Sequence, residues 1–295
     1  PPLIDSTKQK HPRQTDNESP IGKVYELRRL KNRAADHSTP DALVRIPANF
    51  DPNKPVHLAI YNHGWGSNAE NSYSDNRLDK QMAGAPANTV LIIPEWQKVA
   101  GARSANQGNF KTEGLFKNML QEVFDKTPEL RGKTLQNVDS ISIYTHSGGY
   151  VAAETELYKN GLSGKVKSIT LLDSLYDPKG FDPWLSQNIK EIAAGKKQFN
   201  NIFEDTKAES YGQAARVEKM LTDAGLPKSV MFEDYKDPES VVHASTIASH
   251  PIVFKYSLAD ADGLESPHLS IPHLYVGPVE DAAASREKQT QKKNP

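Results

Sequence analysis

The stretch "VDSISIYTHSGGY", Val138–Tyr150, carries the clearest structural signal in the chain. An apolar run leads straight into a serine at position 147, which stands between His146 and two glycines. The pattern Gly-x-Ser-x-Gly on a sharp strand-to-helix turn is typical of a nucleophilic serine. Gly149 fills the last position of that pattern, whereas Thr145 replaces its first glycine. The stretch therefore indicates either a catalytic nucleophile or a glycine-rich turn with an idle serine.

Apolar runs of the same kind recur on both sides of this stretch. "LAIY" (58–61), "VLII" (90–93) and "ITLL" (169–172) lack the polar alternation of a half-exposed strand. Such runs suit central strands that are covered on both faces. Helical patterns lie between them, and this alternation predicts a mainly parallel sheet with helical crossovers. Ligands of such sheets bind at the carboxyl ends of the strands, so the loops there should converge on one crevice.

Composition narrows the classes of function. The chain has 295 residues, no cysteine and a formal net charge of −1. The missing cysteines exclude disulfides, thiolate catalysis and cysteine-ligated metal sites. The balanced charge argues against a nucleic-acid partner. No stretch approaches the ~20 apolar residues that a transmembrane helix needs.

The polar ends of the chain set the predicted domain boundaries. We expect a flexible arm at 1–20, a single domain at 21–281 and a polar C-terminal tail at 282–295. The chain begins without an initiator methionine, as a mature exported protein or a trimmed one would. An exported protein, periplasmic or extracellular, is the favoured expectation, with a cytoplasmic one as the alternative. The oligomeric state is left open.

A second glycine-rich loop, "NHGWGSN" at 62–68, follows an earlier predicted strand. A His-Gly pair at such a strand end often begins a loop whose backbone N–H groups stabilise an oxyanion. We expect the N–H groups of Trp65 and Gly148 to be the donors. His63 is expected near the substrate, as a structural hydrogen-bonding group rather than a catalyst. The other interpretation of the loop is a simple tight turn.

The acid of a catalytic triad has several candidate positions. Asp173 follows the strand after Ser147, Asp177 lies four residues on, and Glu204 and Asp205 end the next strand. The later strand is the commoner place in this architecture, which favours Asp205. Each of these carboxylates could instead cap a helix. Position alone leaves the acid open.

The catalytic base should come late, because the chain order in this architecture is serine, acid, histidine. The late histidines are His243, His250, His268 and His273. His268 lies in "ADADGLESPHLSIPHLY", a segment full of turn-forming residues that predicts a loop after the last strand. That placement favours His268. No H-E-x-x-H or similar spacing marks a metal site, so we expect no metal and no cofactor.

The motifs, in their order along the chain, resemble those of a largely uncharacterised bacterial group of the α/β-hydrolase superfamily. The resemblance covers about residues 57–277 and includes the His-Gly loop, the "HSGGY" turn, "LLDSLYD" and "SPHLSIPHLYVG". It implies an α/β-hydrolase fold: a mainly parallel central sheet flanked by helices, entered through antiparallel strands around 24–29 and 42–46. It implies Ser147 as nucleophile, Asp173 as acid and His268 as base, and therefore moves the choice of acid away from Asp205.

These features together predict a serine hydrolase that cleaves an ester or amide of a small-molecule or polymer acyl substrate. We expect His146, Trp96 and Trp184 to line the substrate pocket with His63, although a role in the core is an equal alternative for the two tryptophans. The rival hypotheses are a non-catalytic binding protein on the same fold and a metal-dependent amidase.

Overall fold

The protein, seen here as a computed structural model, is described at residues 13–14, 22–36, 39–97, 107–261, 264 and 266–293. Ten strands form one sheet: β1 (Arg13–Gln14), β2 (Gly22–Leu27), β3 (Ala42–Pro47), β4 (Val56–Asn62), β5 (Thr89–Pro94), β6 (Val138–His146), β7 (Val166–Leu172), β8 (Gln198–Phe203), β9 (Met231–Asp234) and β10 (Ile252–Tyr256). The α-helices of the described ranges are α1 (Ala69–Asp75), α2 (Leu78–Gln81), α3 (Leu115–Lys126), α4 (Tyr150–Tyr158), α5 (Asp182–Ala193), α6 (Lys207–Asp223), α7 (Ala244–Ser249) and α8 (Pro267–Lys293).

The strand order is β1-β2-β3-β5-β4-β6-β7-β8-β10-β9. The pairs from β1 to β5 are antiparallel, and all the pairs from β5 onward are parallel. The predicted mainly parallel sheet with an antiparallel entry is therefore confirmed. The strand expected at 24–29 is β2, which ends earlier because Arg29 takes a left-handed backbone with φ 57°.

The central strands are buried on both faces, which accounts for their unbroken apolar runs. In β4, Leu58 and Ile60 belong to one core cluster, whereas Ala59 and Tyr61 belong to the other. Because successive side chains of a strand point to opposite faces, each face needs its own cover. Helix α3 covers the first face with Phe116, Met119, Leu120, Val123 and Phe124. Helix α8 covers the second with Ile271, Tyr275, Val276 and Val279.

The chain termini differ in part from the sequence prediction. The arm predicted at 1–20 lies outside the described residues, except for β1, which pairs with β2. The polar tail predicted at 282–295 is helical as far as Lys293, as the continuation of α8. Ala282 is buried there, and Arg286 Nε donates a 3.0 Å hydrogen bond to the carbonyl of Ala248. The buried Ala282 and the hydrogen-bonded Arg286 thus hold the first part of this segment against the domain.

The described part of the chain contains no helix that is both long and apolar enough to cross a bilayer.

Candidate active site

Ser147 stands on a strained turn at the carboxyl end of β6. It opens a short 3₁₀ turn, Ser147–Gly149, that leads into α4. Its φ is 51°, in the left-handed region that non-glycine residues rarely adopt. That conformation costs roughly 1–2 kcal/mol for a residue with a Cβ. Strain of this kind persists only where the surrounding structure enforces it, and it clusters at functional sites.

The space around the turn explains the departure at Thr145. A Cβ added to Gly149 would lie 2.6 Å from the Asn62 carbonyl oxygen and 2.8 Å from Thr145 Oγ1. The glycine at 149 therefore gives the threonine its room. Thr145 Oγ1 lies 3.1 Å from Ser174 Oγ, which donates a 2.6 Å hydrogen bond to the Ser147 carbonyl. The threonine is thus part of a hydrogen-bonded network that contacts the Ser147 backbone.

The strain predicts an unusual order of stability. Alanine normally stabilises regular structure by about 0.5–1 kcal/mol over glycine. At a φ of 51° the order should reverse, because only glycine adopts this region without cost. We expect Ser147→Gly to melt at or above the temperature of Ser147→Ala in thermal denaturation. A glycine variant that melts lower, by the usual difference, would show that the turn is unstrained.

Asp173 and His268 form a hydrogen-bonded pair. His268 Nδ1 lies 2.6 Å from Asp173 Oδ2. Asp173 is fully buried, and it also accepts hydrogen bonds of 3.0 Å from the backbone N–H groups of Glu204, Asp205 and Thr206. The Thr206 hydroxyl donates a further one at 2.9 Å. The carboxylate is therefore fixed in place by the loop after β8, with one oxygen turned to the imidazole.

The pKa values of the pair follow from these contacts. Burial alone would raise the pKa of Asp173, but the hydrogen bonds from His268 and the three backbone N–H groups outweigh it and lower that pKa. Burial would lower the pKa of His268, but the hydrogen bond and charge of Asp173, with the charges of Asp205 and Glu204, raise it above 6.5. The ionised carboxylate and the imidazolium stabilise each other, as a triad requires.

Asp205 is the weaker candidate for the acid. Its Oδ2 lies 3.7 Å from His268 Nδ1, beyond hydrogen-bonding distance, and its side chain is 56% exposed. Glu204, beside it, has a pKa raised to about 7 by burial and by the neighbouring Asp205. Asp177 accepts the backbone N–H of Lys179 in a local turn. The geometry favours Asp173, as the family resemblance implied.

His268 is helical, which corrects the predicted loop. Pro267 begins α8 and His268 is its second residue. Proline suits the first turn of a helix, where no intrahelical partner for its N–H is needed. The sequence predicted a loop because turn-forming residues precede Pro267 and because Pro272 lies inside the segment, where a proline usually interrupts a helix. The first turn of α8 places the imidazole against Asp173, at the carboxyl end of β7.

His146 contacts both the backbone and the ring of His268. Its Nε2 lies 3.1 Å from the His268 carbonyl oxygen, and the two ring centroids are 4.8 Å apart. Burial, together with the charge of His268, lowers the pKa of His146 to about 3, so this ring stays neutral. Nε2 therefore carries the proton and donates to the carbonyl, which anchors the first turn of α8.

The remaining late histidines lie elsewhere. His243 is the cap residue before α7, His250 Nδ1 contacts the Thr246 carbonyl, and His273 Nδ1 contacts the Asp75 carbonyl. None of the three lines the cavity described next.

A cavity of about 1030 Å³ opens beside the serine. Both Ser147 and His268 line it, and so does His146. The other described lining residues are Gly64, Trp65, Gly66, Ser67, Asn71, Ser72, Asp75, Asn76, Tyr150, Tyr176, Asp205, Leu264 and Leu269. The volume is at the upper end of the usual range for small-molecule sites.

Trp96, Trp184 and His63 do not line this cavity, which corrects their predicted role as pocket residues. Trp96 is 1% exposed and stacks on Phe116 with ring centroids 5.6 Å apart. Trp184 is equally buried in the core. His63 is 2% exposed, and its Nε2 accepts the Trp96 backbone N–H at 3.3 Å. Trp96 thus holds the start of the His-Gly loop through its hydrogen bonds to His63 and Asn62, whereas Trp184 packs in the core as part of α5.

The expected oxyanion donors lie next to the serine. Gly148 follows Ser147 directly, and Trp65 lies in the loop whose Gly64 packs so closely that an added Cβ would be 2.9 Å from Ser147 Cβ. In the part of the chain that the structure describes, the Trp65 N–H donates to no other group. An unused N–H beside a nucleophile is available to a ligand.

Asp173, Asp205 and His268 also place one ligand atom each within 4.8 Å of one another, as a metal site would. The hydrogen bonds to Asp173 already occupy both of its oxygens. A metal ion would have to displace the imidazole or the backbone donors. The donor set therefore fits an acid–base pair better than a cation site.

Sequence reasoning missed Tyr150 and Tyr176, which line the cavity with ring centroids 6.0 Å apart. Burial raises the pKa of Tyr176 to about 12, and the nearby charges of Asp173 and Asp205 add to the rise, so the phenol stays protonated. The signal was present, since Tyr150 directly follows "HSGG" and Tyr176 lies three residues after Asp173. Loop positions next to a predicted triad were grounds to consider them.

Comparison with solved structures identifies the fold. The feruloyl esterase module from Clostridium thermocellum is 15% identical and has a TM-score of 0.53, with 93% of each chain covered. Brefeldin A esterase, a bacterial homologue of human hormone-sensitive lipase, is 11% identical with a TM-score of 0.45 over 98% of this chain and 81% of its own. No protein-family model and no curated protein matches the sequence. The sheet topology and the first of these similarities show that the chain has the α/β-hydrolase fold.

Proposed function

We propose that the protein is a serine hydrolase that cleaves an ester or amide through an acyl-enzyme on Ser147. The observation that carries the proposal is the site itself. A serine with φ 51° and a histidine paired at 2.6 Å with a buried aspartate line one cavity. This is the set of groups that acyl transfer requires: nucleophile, base and orienting acid.

The first half of the reaction forms the acyl-enzyme. His268 Nε2 takes the proton of Ser147 Oγ as that oxygen attacks the acyl carbonyl carbon. Asp173 stays ionised: its carboxylate accepts the hydrogen bond from His268 Nδ1–H, keeps the imidazole in the correct tautomer and stabilises the imidazolium. The N–H groups of Trp65 and Gly148 stabilise the tetrahedral oxyanion, where one lost donor typically costs ~10²–10³ in rate. His268 then protonates the leaving group.

The second half releases the acid. Water enters the cavity, His268 Nε2 takes its proton, and the hydroxide attacks the acyl carbon. The bond from that carbon to Ser147 Oγ breaks as the serine regains its proton from the imidazolium. Each proton therefore travels through one imidazole, which explains why its orientation is held by both Asp173 and His146.

A fluorophosphonate probe tests this function directly. The wild type should be labelled once, and peptide mass spectrometry should place the label on Ser147. Labelling should survive EDTA, since the proposed site uses no metal. Labelling of Ser147→Ala to the wild-type extent would contradict the proposal, and so would a label on another residue. A panel of acyl esters and amides then gives the preferred bond.

The pH dependence follows from His268. The base must be neutral to accept a proton, and its pKa lies above 6.5. We expect kcat/KM on a neutral ester to rise with pH through that pKa and then level off. Asp173→Asn removes the charge that raises the pKa, so its residual activity should show the same rise at lower pH. An unshifted profile in that variant would mean that another group titrates.

A further inference from the structure

The cavity beside Ser147 has an uneven charge. Its described lining contains the carboxylates of Asp75 and Asp205 and no lysine or arginine. Both side chains are exposed. Lys207, two residues after Asp205, places its Nζ 4.1 Å from the ring centroid of Tyr256 instead of against that carboxylate. No lysine or arginine of the described lining therefore lies beside these two carboxylates, although Asp205 Oδ2 is 3.7 Å from His268 Nδ1.

The histidines of the lining do not reverse this charge. His146 is neutral, because burial lowers its pKa to about 3. His268 can carry a positive charge, but its partner is the buried carboxylate of Asp173, so the pair adds no net positive charge. The described lining therefore carries a net negative formal charge from Asp75 and Asp205.

Exposed rings share the same cavity. The large hydrophobic side chains that are exposed on the described surface are Trp65, Tyr158, Tyr176 and Leu269, and all except Tyr158 line it. Trp65 is 56% exposed and Tyr176 44% exposed. Clustered exposed apolar groups mark binding sites, whereas single ones carry little meaning. The faces of tryptophan and tyrosine rings also attract cations.

We propose that the site takes esters whose leaving group is cationic or neutral, with a quaternary ammonium as the best fit, and that it rejects anionic ones. The inference rests on the proposed function and names its substrate class. Ring faces and carboxylates both favour an ammonium group, and a trimethylammonium needs no hydrogen-bond acceptor. An anion would be repelled by the two carboxylates, and the described lining has no lysine or arginine that could bind it.

Thioacetates of matched size measure this preference. The probes are S-acetylthiocholine, its neutral isostere S-(3,3-dimethylbutyl) thioacetate and the anion S-(2-sulfonatoethyl) thioacetate, each followed by thiol release. We expect kcat/KM to fall in that order, with the cation about 10-fold or more above the anion at low salt. The ratio should shrink in 0.5 M NaCl, because the Debye length falls below roughly 5 Å. Equal rates for cation and anion would overturn the inference.

Asp75→Asn isolates the charge. This isosteric change should lower the cation-to-anion ratio of kcat/KM roughly threefold, with each rate expressed relative to that of the neutral thioacetate in the same variant. Asp139→Asn is the matched control, since its exposed carboxylate lies at the opposite end of β6, roughly 25 Å from Ser147. An equal loss of ratio in both variants would show a general effect of net charge and would contradict the assignment to this cavity.

A binding measurement separates this inference from the proposed function. Ser147→Ala, titrated with benzyltrimethylammonium and with benzenesulfonate by calorimetry, should bind the first and not the second. If the cation binds selectively although no thioacetate is hydrolysed, the proposed function fails and the charge preference stands. If thioacetates are hydrolysed in a Ser147-dependent way but both ions bind equally, the charge preference fails alone.

Discussion

Ser147→Ala is expected to lower kcat by ~10⁶, close to the loss seen when all members of a triad are removed together. The reason is that His268 and Asp173 can act only by activating a nucleophile, and the variant has none. His268 and Asp173 would keep their 2.6 Å hydrogen bond, but no covalent intermediate could form on them. Residual turnover above that of water would come from the oxyanion donors and substrate binding alone. Steady-state kinetics on the best ester of the panel measure the change.

The control for this variant lies on the same strand. Ser140 is seven residues earlier in β6, roughly 23 Å away, and its hydroxyl contacts His57 Nδ1. Ser140→Ala should keep kcat within a few-fold of the wild type. If Ser147→Ala kept more than about a hundredth of the wild-type kcat at an unchanged melting temperature, a group other than Ser147 would be the nucleophile.

Much of the fold followed from local patterns. The unbroken apolar runs predicted buried parallel strands because each of their faces needs a cover, and α3 and α8 provide these covers. The turn at Ser147 was visible because small residues are required where helix and strand approach closely. Thr145 was the exception. Gly149, in the same turn, leaves space for its side chain, but its contact with Ser174 joins residues 29 positions apart, which no local pattern connects.

Two features of the site could not be predicted from the sequence because they depend on tertiary contacts: which carboxylate pairs with the histidine, and which aromatic residues line the cavity. Position in the sequence favoured Asp205 without deciding the acid. Asp173 is distinguished by its 2.6 Å contact with His268 and by the hydrogen bonds that it accepts from three backbone N–H groups of the loop after β8. Burial of Trp96 likewise depends on α3, whose Phe116 stacks on it, whereas Trp65 is exposed in its loop. Hydrophobicity alone cannot separate a core ring from a ring that lines a binding site.

Asp173→Asn is expected to lower kcat by ~10⁴, by the effect known for the wrong histidine tautomer. Asp173 Oδ1 accepts from the N–H groups of Glu204 and Thr206 and from the Thr206 hydroxyl, so the amide oxygen of an asparagine would take that place. Its NH₂ group would then face His268 Nδ1 and donate to it. The imidazole proton would move to Nε2, which could no longer accept the proton of Ser147.

Asp205→Asn is the matched variant, and its effect on a neutral ester should be less than about tenfold, as expected of an exposed charge that makes no hydrogen bond to the base. Its side chain stands 3.7 Å from Nδ1, and the support it gives to Asp173 comes from its backbone N–H, which the substitution keeps. Kinetics of both variants on the same neutral ester decide between the two acids. A larger loss in Asp205→Asn would mean that the imidazole turns toward Asp205 during turnover and that the buried carboxylate has only a structural role.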